Sequence, residues 1–248
     1  MNRDRGYVHE VFGSFQGEGP HVGERHIFVR LCTCNLSCAY CDTPQSWSRQ
    51  PLALLEEGPG EPAFTVPNPL SAGDVIKAVA AQEIAPGFNS ALCVTGGEPL
   101  MQPEFVDELL SGLGGRFRVM LETNGTLPDA LSAVIRHIDI ISMDIKLPSV
   151  SGVGGLWDEH RRFLLGSAGK ELIIKAVFSE KTSVDEVGTA ARLCAEAAPG
   201  AAFILQPLTG ADGGLPDEQR VFGLYKEAKK YVKDVRVIPQ VHKILKVR

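Results

Sequence analysis

Short β-branched and apolar runs recur along this chain, separated by longer stretches in which apolar residues return every three or four positions. "HIFVRL" (26–31), "ALCVT" (91–95), "FRVMLET" (117–123), "IDIISMDIK" (138–146), "ELIIKAVF" (171–178), "AFILQ" (202–206) and "VRVI" (235–238) read as strands. Their near-continuous apolar character suits strands covered on both faces, as in a parallel sheet. Spacing and end signals predict helices at about 71–82, 102–112, 128–137, 157–168, 183–198 and 216–233. Ser71 followed by Asp74 has the form of a capping box. Asp185, Glu186, Asp217 and Glu218 place negative charge in first turns, where the helix dipole favours it. Strand alternating with helix about six times predicts a parallel α/β architecture. The strands are too few for a closed eightfold barrel, so an incomplete parallel β/α barrel is expected, with a doubly wound open sheet as the runner-up. Residues 48–70 and 148–156 read as loops, and residues 1–248 as a single domain.

Composition narrows the function classes. Hydrophobic residues make up 44% and charged residues 22%, an ordinary globular balance. The opening "MNRDRGYVHE" is polar, and no apolar run is long enough to span a bilayer. No membrane partner and a cytoplasmic location are therefore expected, and there thiols stay reduced. A net charge of −5 argues against nucleic-acid partners, which require cationic surface.

The cysteines change the picture. Four of the six fall within "CTCNLSCAYC". Cys34, Cys38 and Cys41 form C-x3-C-x2-C directly after a strand, so one loop can bring three thiolates to one centre. A structural zinc site or a four-thiolate iron–sulfur cluster would recruit Cys32 as the fourth ligand. A 4Fe–4S cluster held by three cysteines would instead leave one iron open. Cys93 and Cys194 lie in apolar stretches and read as small buried hydrophobes.

Tyr40 precedes the last cysteine of the triad, and "TGGEP" (95–99) follows the next strand. Together these features resemble the radical S-adenosylmethionine (SAM) superfamily. The resemblance implies a 4Fe–4S cluster on Cys34, Cys38 and Cys41, with SAM on the open iron. Reductive cleavage of SAM then yields a 5′-deoxyadenosyl radical that takes hydrogen from substrate. It implies SAM contacts from Tyr40, Asp42, Gly96, Gly97 and Glu98. Ser142, Asp144 and Lys146 would line the ribose and carboxylate side, and Gln206, Pro207 and Leu208 the adenine region. Cys32 becomes a packing residue at a strand end.

Four further stretches, "GSFQGEGPHVGERHIFVRL", "CDTPQSW", "DIKLPS" and "PQVHKILKVR", run from one end of the chain to the other. In this order they resemble the 7-carboxy-7-deazaguanine synthase family. That resemblance implies ring contraction of 6-carboxy-5,6,7,8-tetrahydropterin with loss of ammonia, assisted by Mg2+. It also implies a homodimer and an electron donor of the flavodoxin or ferredoxin type. Arg30, a lone charge in "IFVRLC", offers a planar fork for the substrate carboxylate. By resemblance Phe15, Gln16, Gly17 and Glu18 hold the pterin edge, Thr95 and His242 touch substrate, and Thr43 meets Mg2+. The terminal carboxylate of Arg248 is a further expected contact. Some family members lengthen the cysteine loop; here the common spacing is kept. The competing readings are a glycyl-radical-enzyme activase and a non-enzymatic zinc or iron–sulfur module.

Overall fold

The computed structural model describes residues 4–210 and 214–247. Strands β1 (Arg5–Gly6) and β2 (Val8–Phe15) lead into β3 (Arg25–Leu31). Next come β4 (Leu52–Glu56), β5 (Ala63–Pro67), β6 (Leu70–Ser71) and helix α1 (Ala72–Ala81). Strand and helix then alternate through β7 (Ala91–Gly96), α2 (Pro103–Leu113), β8 (Val119–Thr123), α3 (Pro128–Val134) and β9 (Ile140–Ile145). Two helices, α4 (Pro148–Ser151) and α5 (Trp157–Gly166), precede β10 (Glu171–Phe178). The chain finishes with α6 (Val184–Ala197), β11 (Ala202–Pro207), α7 (Glu218–Ala228), β12 (Val235–Val237) and α8 (Val241–Leu245).

Local chemistry starts these helices where it was expected to. Ser71 and Asp74 form the full capping box of α1, with Ser71 Oγ accepting from the Asp74 amide at 3.1 Å. Ser183 and Glu186 repeat the device on α6, and Asp217 accepts from the Arg220 amide at the start of α7.

In the ten-stranded sheet, β3, β7, β8, β9, β10, β11 and β12 lie side by side in chain order, each parallel to the next. A doubly wound sheet reverses its strand order at a switch point. Here nothing reverses, so right-handed crossovers put every helix on one face. Accordingly α1, α2, α3, α5, α6 and α7 pack in succession over that face. The architecture is a partial parallel β/α barrel. The main core, including Val29, Leu121, Ile141, Phe163 and Phe203, fills the space between sheet and helices.

The opposite, inner face carries the site. Phe12, Phe28, Cys93, Met120, Ile140, Ile173 and Ile204 form a second apolar cluster, one residue per strand. Side chains on one face recur every second position. Two residues further along the strands, the same face presents Arg30, Thr95, Glu122, Ser142, Lys175 and Gln206. An apolar floor therefore lies beneath a polar layer at the strands' C-terminal ends, where barrel enzymes hold their chemistry.

All seven expected strands are present, and the chain adds more. β2 runs antiparallel to β3, and the expected 48–70 loop contains the β4–β5 hairpin, which extends the sheet beyond β2. Pro and Gly in "EEGPGEP" mark the turn between two short strands, the second of which is the sheet edge, rather than an unstructured segment. In β2, Glu10 and Ser14 share the inner face with Phe12; Glu10 lies opposite Arg30 in the polar layer, and Ser14 lies opposite His26 on the other side of the apolar floor. The expected 148–156 loop begins with α4. Among the described residues, no helix is long and apolar enough to cross a membrane.

Candidate active site

The cysteine loop leaves β3 through Thr33, a non-glycine residue at φ 76°. It is pinned by Cys41 N donating to Cys38 O (3.1 Å), and by Ala39 N donating to Ser151 O at the end of α4 (2.9 Å). The turn after β7 lies directly against it. Gly97 N donates to Leu31 O and Glu98 N to Thr33 O, at 3.0 and 2.8 Å. A Cβ on Gly96 would sit 2.3 Å from Leu31 O, and one on Gly97 2.3 Å from Thr33 O. No side chain fits either position, so the double glycine is what lets two backbones touch beneath the cysteines.

Cys34, Cys38 and Cys41 all line one cavity of about 500 Å³. Cys32 is fully buried and does not. Among the described residues, no three His, Cys, Asp or Glu side chains are close enough to share a single metal ion. Three thiols lining one cavity, with Cys32 buried apart from them, offer a multi-iron cluster three ligands and leave one iron without a protein ligand, whereas a closed zinc tetrahedron takes four. Burial raises the Cys34 and Cys38 thiols above their ordinary range. Cluster binding, which takes them as thiolates, must offset that cost.

Beside the cysteines lies a buried charge chain. Lys146 Nζ donates to Asp144 Oδ2 at 3.1 Å and to the Tyr40 hydroxyl at 3.3 Å. Burial opposes its charge, but Asp144 and Tyr40 hold the ammonium well above its usual range. Burial also pushes the Tyr40 hydroxyl up to about 12. Lys175, from β10, pairs with Glu18 and stands 3.7 Å from Asp144 Oδ1. That Asp144 oxygen and Gln206 Oε1 are buried without a hydrogen-bond partner. Two orphaned acceptors facing one cavity are what a ligand's hydroxyl and N–H groups would satisfy.

The β2–β3 connection, residues 16–24, crosses the open side of the barrel. Gln16 Nε2 donates to Glu122 Oε1 at 3.0 Å, and the Glu18 amide donates to Gln16 Oε1 at 3.0 Å. Glu18 accepts from Lys175, from Gln206 Nε2 at 3.0 Å and from Gln240 Nε2 at 3.1 Å. Burial works against this carboxylate, yet Lys175 and these donors hold it at about 2. Val241 N donates to Gly17 O, and a Cβ on Gly17 would strike the His242 ring. Residues near both ends of the chain thus build one wall.

A radical SAM superfamily model matches residues 29–162, more than half the chain. The chain is 39% identical to a 7-carboxy-7-deazaguanine synthase of Geobacter sulfurreducens, over 99% of both chains. This chain belongs to the 7-carboxy-7-deazaguanine synthase family. A Methanopyrus kandleri member is 38% identical over 96% of this chain and 92% of its own. The crystal structure of QueE from Escherichia coli shares the fold, with a TM-score of 0.56 at 19% identity, covering 96% of this chain and 95% of its own.

Within this family member, the structure gathers most of the expected contacts. Phe15, Gln16, Gly17, Glu18, Arg30, Tyr40, Asp42, Thr43, Thr95, Gly96, Gly97, Asp144, Lys146, Gln206 and His242 all line the cavity. Glu98, Ser142, Pro207 and Leu208 do not. Glu98 is fully buried, where its carboxylate accepts from Leu100 N, Thr123 Oγ1 and Asn124 N. Burial still raises it to about 7. Its side chain ties the turn after β7 to the end of β8. Arg248 lies outside the described residues. Arg30 already has a carboxylate partner, because its Nε donates to Glu10 Oε1 at 2.8 Å.

Lys175, Glu122, Asn124 and Gln240 also line the cavity and were not singled out from sequence. Lys175 had a legible signal. A lone charge inside "LIIKAVF" (172–178) demands a buried partner by the same reasoning that marks Arg30.

Proposed function

We propose that this chain carries out its family's reaction, converting 6-carboxy-5,6,7,8-tetrahydropterin to 7-carboxy-7-deazaguanine with release of ammonia. The supporting observation is that three unpaired cysteines share one cavity with Phe15, Gln16, Gly17, Glu18 and Arg30. Bound to a 4Fe–4S cluster on Cys34, Cys38 and Cys41, SAM supplies a carbon radical able to take a hydrogen atom from substrate.

The chain's own residues do the binding and the shielding. Arg30 presents the rest of its guanidinium to the substrate carboxylate while Glu10 fixes its Nε. Glu18 stays ionised across the physiological range. A carboxylate offers about four acceptor positions, and three are taken, so Glu18 receives one ligand N–H. The orphaned Gln206 Oε1 is placed to receive the next. Asp144 Oδ1, which has the Lys175 ammonium 3.7 Å away but no hydrogen-bond partner, meets a ribose hydroxyl, and Lys146 steadies Asp144. Tyr40, Asp42, Gly96 and Gly97 complete the SAM environment in this reading, with Glu98, Ser142, Pro207 and Leu208, which do not line the cavity, supporting it from behind. Thr43 offers its hydroxyl to Mg2+, an ion that keeps much of its hydration and so needs few protein ligands. Phe15, Gln16, Gly17, Thr95 and His242 enclose the pterin in this reading. The protein works as one domain in a cytoplasmic homodimer supplied by a small flavin or iron–sulfur electron donor.

Anaerobic reconstitution followed by turnover of the carboxytetrahydropterin with SAM, Mg2+ and reductant tests this directly. 7-Carboxy-7-deazaguanine is the expected product. A loaded, reduced enzyme that cleaves SAM yet leaves the pterin intact would overturn the substrate.

A further inference from the structure

Trp47 has no part in the reaction outlined above, yet it touches the cysteine triad twice. It ends the short 3-10 turn Pro44–Trp47, just beyond Thr43. Its carbonyl accepts from the Cys34 amide at 3.2 Å. Its indole Nε1–H donates to Cys41 Sγ, also at 3.2 Å. Indole nitrogen is a donor only, so this bond has one direction and strengthens as the sulfur becomes more negative. The other contacts to these sulfurs are the Leu36 amide at 3.4 Å from Cys34 Sγ, and two at 3.9 Å: Asn124 Nδ2 to Cys34 Sγ and Thr43 Oγ1 to Cys41 Sγ. Trp47 is thus the closest side-chain donor to any of the three. Its ring is only partly covered, with 36% of its surface exposed.

We propose that Trp47 is a positioning residue that raises the reduction potential of the cluster through its hydrogen bond to Cys41. Reduction adds one electron, and part of that charge spreads onto the ligand sulfurs. An N–H dipole aimed at one sulfur stabilises the reduced form more than the oxidised form. Removing the dipole while keeping an aromatic ring makes the cluster harder to reduce. This inference rests on the three-cysteine cluster of the family reading, and the measurements below separate the two.

Full-length wild type and Trp47→Phe are reconstituted anaerobically, assayed for iron and sulfide, and titrated potentiometrically by electron paramagnetic resonance without SAM. Trp47→Phe should keep its iron and sulfide, with a reduction equilibrium about three- to tenfold less favourable. Tenfold corresponds to about 59 mV for one electron. A loaded variant with an unchanged potential overturns the proposal and leaves the family reading standing. The wild type supplies a second measurement that needs no stable variant. With its indoles labelled with 15N, the reduced cluster should show a weak 15N coupling in pulsed spectra. The chain has two tryptophans, so the coupling should persist in Trp157→Phe; its absence from the wild type overturns the proposal. Wild type that takes up neither iron nor sulfide overturns the family reading, and this inference with it.

Discussion

Arg30 and Glu18 show how one cavity gives opposite charges different tasks. Arg30 is held by Glu10 through its Nε and lines the cavity, where the rest of its guanidinium is proposed to meet the substrate carboxylate. A charge-assisted hydrogen bond contributes about 2 kcal/mol, roughly thirtyfold in affinity. Arg30→Ala should therefore raise the KM for the pterin by about that factor, with SAM cleavage in the absence of pterin unchanged. Equal loss of both activities would remove the arginine from substrate binding. Glu18 has a folded value of about 2 against an ordinary 4.5. The stability it contributes is complete above about pH 4.5 and is lost as pH falls from there toward 2. Glu18→Gln should flatten the decline of melting temperature between pH 4.5 and 3; parallel declines in the two proteins would dismiss the pairing with Lys175. Among the cysteines, Cys38→Ala should lose the cluster. Cys32→Ala, which empties only a small buried volume, should retain it, as iron and sulfide assays will report.

The turn after β7 is the element on which the cluster loop depends. Its glycines approach backbone atoms of Leu31 and Thr33, which have no rotamer with which to yield. Gly97→Ala should lower bound iron at least tenfold while the far-ultraviolet circular dichroism stays that of the wild type. Full iron content would show that the loop adapts. This element also marks how far sequence reading reaches. "TGGEP" was recognisable as a tight turn at a strand end, and it is one. That its glutamate points into the protein, toward Thr123 and Asn124, follows from the crossover that brings β8 alongside β7. No local signal announces such a crossover. Likewise β5 was hidden because an edge strand tolerates Pro, and β4 because its five residues are bounded by Pro51 and the Gly- and Pro-rich turn. The parallel strands were legible because burial on both faces leaves them almost uninterruptedly apolar.

Over the assembled protein, the strand order explains why the site is open on one side and how it is closed. Seven parallel strands in chain order form part of a ring, and residues 16–24 together with α8 cover the remaining gap. Deleting residues 240–248 should raise the pterin KM by more than about a hundredfold, since it removes Gln240 and His242 together. The melting temperature should change little, because α8 buries none of its residues. A large drop in melting temperature would instead make α8 part of the stability core. The fold class and the cysteine triad were readable before any coordinates, being local in the chain. The partners of Glu18 were not, since Lys175, Gln206 and Gln240 lie far downstream of it.

That distance bears on synthesis. A ribosome delivers the cysteine loop and its glycine turn well before Gln240 and Val241, which complete the wall across the cavity by bonding to Glu18 and Gly17. A nascent chain can thus acquire its inorganic centre well before it can enclose an organic guest. Protection of that centre from oxygen during the interval falls to whatever delivers the iron and sulfide.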